Sequence, residues 1–189
     1  MSRAYRIRVS ESLNRTLQAE DEVCSRIELL EVLPPEQMAE LLRDELKERG
    51  FIDDNGRLVR CDHGVTVEID PNCGEVVLTS AAERDVSIEA QREGLAYDDI
   101  GPAEKTVKKS LQKQVQSDLE RHAQREQGKL QSEATKRLEG ELGDLQKELN
   151  QAINRVTAEA LKRKAAQLGA IKEMSEDPQT GSLTIKVEV

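Results

Sequence analysis

Apolar and polar residues alternate along Ala4-Tyr-Arg-Ile-Arg-Val9, which places Tyr5, Ile7 and Val9 on one face of a strand. Alternation returns in Val23-Cys-Ser-Arg-Ile-Glu-Leu29, with Val23, Ser25, Ile27 and Leu29 in phase. The polar stretch 10–20 either extends the first strand or loops out, and the pattern predicts a hairpin through Ala19-Glu-Asp-Glu22. In LPPEQMAELLRDELKERGF the period changes to that of a helix. Pro34-Pro35 opens it, Glu36 sits in its first turn, and Met38, Leu41, Leu42 and Leu46 form one stripe. Gly50 follows as the C′ residue, and Phe51 and Ile52 are expected to anchor the chain back on the core.

Short strands are predicted next, over 57–60, 64–70, 75–79 and 85–90, with Asp70-Pro-Asn-Cys-Gly74 as a turn. An antiparallel sheet with one packed helix results, an α+β module over 1–95. Residues 96–102 read as a linker, because Pro102 suits a first helical position and no proline follows until Pro178.

The stretch 103–169 is a long helix with a thin apolar seam. It runs through Val107, Leu111, Val115, Leu119, Ala123, Leu130, Ala134, Leu138, Leu142, Leu145, Leu149, Ile153, Val156 and Ala160. From Ala134 the steps repeat every eleven residues, close to the natural twist of a straight helix. Unbroken, some 65 residues would make a rod of roughly 100 Å. Gly128 lies in an apolar gap where the helix could instead fold back, but the seam holds its phase through Gly140 and Gly143 and favours continuity. A seam this narrow is expected to pair with another helix.

Residues 170–189 read as a β-hairpin in which Leu183, Ile185, Val187 and Val189 alternate. A lone two-stranded hairpin is marginal in water. It is therefore expected to rejoin a sheet, that of its own module or that of a second copy. The fold class expected is α+β, combining the sheet and its helix, the long helix, continuous or folded back, and this terminal hairpin.

Composition narrows the function. Residues 1–100 hold 23 Asp and Glu against 12 Lys and Arg, which disfavours binding to a phosphate backbone. The remaining residues hold 14 against 16, so the helix could complement the acidic front, although solvated faces explain the charges as well. With two Tyr, one Phe and no Trp, stacking on nucleic acid is not expected. No apolar run approaches the length of a membrane span, and three cysteines form no disulfide framework, so a cytoplasmic protein with reduced thiols is expected.

Candidate chemistry is sparse. Cys61, His63 and Cys73, with Cys24 as a fourth, are the only residues of metal-ligand type that cluster in sequence. A strand separates His63 from Cys73, so convergence on a metal is not expected. Asp98-Asp99 could hold an acid–base pair, but an acidic cap before the helix accounts for them more simply. No glycine-rich phosphate loop or nucleophile elbow is present, and no cofactor is expected.

YRIRVSESL, LEVLPPEQMAELLRDELKERGF, YDDIGPAEK and ALKRKAAQLGAIKEMSEDPQTGSLTIKVEV together resemble bacterial accessory proteins. Their associates are AAA+ ATPases of the MoxR or FtsH type and von Willebrand factor A proteins. The resemblance covers nearly the whole chain and implies a non-enzymatic adaptor with protein partners. No functional residue carries over from the resemblance; the apolar patterning sets the expected interaction residues on the helix seam (Leu130, Leu138, Leu142, Leu145, Leu149, Ile153, Val156) and on the terminal strand (Leu183, Ile185, Val187, Val189). Two alternatives stand beside it. One is a structural subunit that oligomerises through the helix. The other is a ligand-binding or metal-dependent enzyme using Cys61, His63 and Cys73 or Asp98 and Asp99.

Overall fold

The computed structural model describes residues 4–97, 103–176 and 183–188. The fold is α+β, with strands β1 (Ala4–Arg26), β2 (Ile52–Asp54), β3 (Arg57–Asp62), β4 (Val65–Asp70), β5 (Glu75–Tyr97), β6 (Ala170–Glu176) and β7 (Leu183–Glu188). Helix α1 spans Pro35–Glu48, and α2 runs unbroken over Glu104–Leu168. The chain divides into two compact units. The first holds 1–20 and 81–134, and the second 21–80 and 135–189, so β1, β5 and α2 each contribute to both.

Five antiparallel strands form one sheet in the order β1-β5-β4-β3-β2. β1 and β5 are each 23 residues long. The bonded pairs Arg8–Glu93, Thr16–Asp85, Gln18–Glu83 and Ile27–Gly74 share one constant sum of residue numbers, as an antiparallel register without slippage requires. The hairpin expected through 19–22 is therefore absent. One strand covers 4–26, and the segments expected at 75–79 and 85–90 fuse into β5.

In the second unit, two tight hairpins join β2 to β3 and β3 to β4. Asn55 and Gly56 have φ of 52° and 89°, and His63 and Gly64 have 50° and 80°, the paired positive angles of a type I′ turn. That turn has the twist that antiparallel strands need. The end of α1 is closed by a Schellman motif: Phe51 N–H donates to the Leu46 carbonyl and Gly50 N–H to that of Lys47. Phe51 and Leu46 are both buried, which supplies the apolar contact of the motif. Ile52 does not follow Phe51 into the core. Strand alternation turns it outward, and it is 72% exposed.

The α2 seam is buried within the chain. In the first unit Leu111, Val115 and Leu119 pack with Val9, while Leu130 and Ala134 pack with Leu17, Ala19 and Ala82. In the second unit Leu138, Leu145, Leu149, Ala152, Val156 and Ala160 join the stripe of α1 and the inward residues Leu58, Val65, Val67, Ile69, Val76 and Leu78. Leu142 and Ile153 are partly buried against the same core. The sheet and α1 thus cover the seam, and its burial requires no helix from a second chain.

Helix and strand advance together in the first unit. The Gln127 amide donates to the Gln18 carbonyl and the Gln131 amide to that of Glu20. Four helical residues rise about 6 Å and two strand residues about 6.6 Å, so a four-residue helical repeat keeps step with alternate strand positions. Even-numbered β1 carbonyls point off the sheet, and these two glutamines satisfy those of Gln18 and Glu20.

β6 and β7 pair with each other, with Ile171 opposite Val187 and Met174 opposite Ile185. They form a separate two-stranded sheet. Among the described residues the hairpin pairs only with itself and adds no strand to the larger sheet.

Candidate interaction surface

Helices cover one face of the sheet in the second unit and leave the other open. The pairings Ile52–Val59, Val59–Glu68 and Glu68–Val77 make one row across four strands, and the β1–β5 register adds Cys24 beside Val77. A second row runs Cys61–Thr66–Thr79. Ile52, Cys24 and Cys61 are exposed, and Val59, Thr66, Val77 and Thr79 are half-buried. Around Glu68 the surface is made of small and β-branched side chains. Glu68 stands in the middle of the first row and is paired by Arg57, which lies 3.5 Å from Glu68 and 3.4 Å from Glu75. An open groove continues round the β2–β3 edge, lined by Gly50, Ile52, Val59 and Cys61.

The outer face of α1 is acidic. Glu36, Glu40, Asp44 and Glu48 follow at four-residue steps, which sets them on one side of the helix, and all four are exposed. Among the described residues none of them forms an ion pair.

Beneath the open face, Arg60 holds the layers of this unit together. Its Nη1 and Nη2 donate to Glu148 at 2.8 and 2.7 Å, and Nη1 also donates to the Arg49 carbonyl at 2.9 Å. Nε lies 2.6 Å from the Asp62 carboxylate, and the guanidinium sits 4.4 Å from the centroid of Phe51. One side chain of β3 thereby joins the end of α1 to the middle of α2. The hydrogen bonds from Arg60 hold the Glu148 carboxyl below its ordinary range, and those to Glu148 push Arg60 up. Arg92 pairs with Asp118, Arg84 with Glu133 and His63 Nδ1 with Glu141, whereas Arg155 pairs with Glu45 in the opposite sense. Alongside the anticipated pairing of a basic helix residue with the front half, carboxylates of α2 meet Arg60, Arg84 and Arg92 of the sheet.

The metal-type residues are dispersed. His63 occupies the β3–β4 turn, Cys61 lies two residues before it, and Cys73 sits in the turn at the opposite end of β4. All three cysteines are free and exposed. Among the described residues no three His, Cys, Asp or Glu side chains are grouped to hold a metal ion. Cys24 Sγ donates to Glu22 Oε1 at 3.2 Å, and the carboxylate raises the thiol pKa. Asp70, capped by the Asn72 N–H, is lowered. Asp98, Asp99 and Val189 lie outside the described residues, while Leu183, Ile185 and Val187 fall in β7. The expected seam residues occupy the interior described above.

Arg60, Glu148, Val59 and Val77 carry no signal as single residues. Their roles follow from the strand register, which places Val59 and Val77 on the face opposite the helices. No helix among the described residues is long and apolar enough to cross a membrane.

These features define an α+β protein that presents surfaces: a sheet with one open face, an acidic helix and a terminal hairpin. The chain belongs to the family FtsH ternary system domain X5, whose model matches residues 1–189. It is accordingly a component of a multiprotein system associated with an FtsH-type AAA+ ATPase. No curated protein and no solved structure matches the chain.

Proposed function

We propose that the chain is a non-enzymatic adaptor of its FtsH-type ATPase system and docks a protein partner on the open sheet face of the second unit. The observation that carries this reading is the row Ile52–Val59–Glu68–Val77–Cys24, where apolar side chains lie on a face that no helix covers. Ile52, at the β2 end of this row, is a large exposed apolar side chain of the kind that anchors protein interfaces. The acidic side of α1 supports steering of a partner with a basic contact region. The ATPase is the first partner proposed and a von Willebrand factor A protein the second. A cytoplasmic location agrees with three exposed free thiols.

Binding of the purified chain to the ATPase of its system, followed by interferometry, tests the reading. Ile52→Asp should weaken binding at least tenfold while the circular dichroism spectrum stays unchanged. Unchanged affinity would remove this face from the interface.

A further inference from the structure

Strand β5 runs far beyond its second neighbour. β4 pairs with it only through Val65–Ser80, so from Ala81 to Tyr97 β5 has β1 on one side and no described strand on the other. The register identifies the free groups. Ile27 N–H donates to the Gly74 carbonyl, so even-numbered β5 residues bond to β1 and odd-numbered ones turn their N–H and C=O away. Beyond Ser80, the backbone groups of Glu83, Asp85, Ser87, Glu89, Gln91 and Glu93 therefore point off the sheet. An unpaired edge of this length is a template for another strand.

Its two faces specify the strand that would fit. Val86, Ile88 and Ala90 face α2 but remain only partly buried. The glutamines of α2 reach toward β1, on the opposite side of the ribbon. The other face, with Ser87, Glu89 and Gln91, is polar and exposed. A fitting strand must alternate apolar with polar residues. Leu183-Thr-Ile-Lys-Val-Glu188, which is β7, has that pattern and belongs to a hairpin whose only described strand pairing is internal. In that hairpin Met174 remains 51% exposed.

We infer that the β6–β7 hairpin of a second copy adds to the free β5 edge near Val86–Ala90. This sets Ile185 on the side of Ile88, and Thr184 and Lys186 on the side of Ser87 and Glu89. The pairing supplies the third strand that a lone hairpin lacks. It does not depend on the ATPase association and is tested on the purified full-length chain alone.

Sedimentation equilibrium should show a dimer. Amide exchange followed by NMR should slow at Ser87, Glu89 and Gln91 as protein concentration rises, while Ile88 and Ala90, bonded to β1, are protected throughout. Glu89→Pro removes one outward N–H and leaves the β1 ladder intact, so it should raise the dimer dissociation constant at least 30-fold. Ile185→Asp should abolish the concentration-dependent protection. A monomer at every concentration would overturn the inference, as would edge protection that survives Ile185→Asp or a Glu89→Pro dimer of unchanged affinity. Should Glu89→Pro fail to fold, exchange in the native chain and in Ile185→Asp decides alone.

Discussion

Arg60 and Glu148, 88 positions apart in sequence, meet as a two-pronged ion pair with N–O distances of 2.8 and 2.7 Å. Both are largely shielded from solvent, at 20% and 26% side-chain exposure. Charged hydrogen bonds in such a setting contribute roughly 1.5–3 kcal/mol, and removing one partner leaves the other incompletely satisfied. Glu148→Ala should therefore cost about 2 kcal/mol in urea unfolding. The pH dependence follows from the depressed Glu148 pKa. Its contribution is fully present above the ordinary glutamate value of 4.5 and is lost as pH falls through the lower folded value. The stability gap between the native chain and Glu148→Ala should be constant near neutrality and close in acid. A gap that widened below pH 4.5 would contradict this assignment.

Two kinds of glycine should respond oppositely to alanine. Gly74 has φ of 72°, and a Cβ there would lie 2.3 Å from the Ile27 carbonyl oxygen. Gly74 also accepts the Ile27 N–H, so the two backbones cannot separate without losing that bond. Gly74→Ala should destabilise by on the order of 2 kcal/mol or more. Gly140, within α2, has nothing within 4 Å of a Cβ. There alanine should stabilise by roughly 0.5–1 kcal/mol through helix propensity alone. Thermal melts of the two variants should move in opposite directions.

Parts of this fold are legible in sequence because their signals are local. Pro34, Pro35 and Gly50 mark both ends of α1, and the eleven-residue repeat from Ala134 marks the α2 seam through Gly140 and Gly143. β1 was obscured between residues 10 and 20 because its inward positions include Glu11 and Arg15 beside Leu13, Leu17 and Ala19. Mixed polarity on the helix-facing side hides the period of two. β5 was obscured likewise by Arg84 and Arg92, whose partners Glu133 and Asp118 lie on α2 and far along the chain. The open face was not legible at all. Ile52 follows Phe51 directly, and only the start of β2 shows that one turns inward and the other outward.

The thiols provide a direct probe of the second unit. Cys24, Cys61 and Cys73 are exposed and should all react with a disulfide reagent in the native state. The hydrogen bond to Glu22 and the charge of that carboxylate disfavour the Cys24 thiolate. Near pH 8, Cys24 should react more slowly than it does in Glu22→Gln, with the difference shrinking at higher pH. Equal rates in the two proteins near pH 8 would show that Glu22 does not control the thiol.

Ile52 and Leu149 make the sharpest contrast between surface and core. Leu149 belongs to the seam and is 8% exposed, whereas Ile52 is 72% exposed on the open face. An aspartate at position 149 would place a charge in the apolar cluster that holds Leu145, Val156 and the α1 stripe. Leu149→Asp should cost about 4 kcal/mol or more and leave the second unit unfolded or molten. Ile52→Asp exchanges one solvent-facing side chain for another and should change stability by less than about 1 kcal/mol. Its effect should appear in partner binding. Urea melts separate the two outcomes: strong destabilisation by Ile52→Asp would mean that the face is covered in the native state, and tolerance of Leu149→Asp would mean that the seam is not.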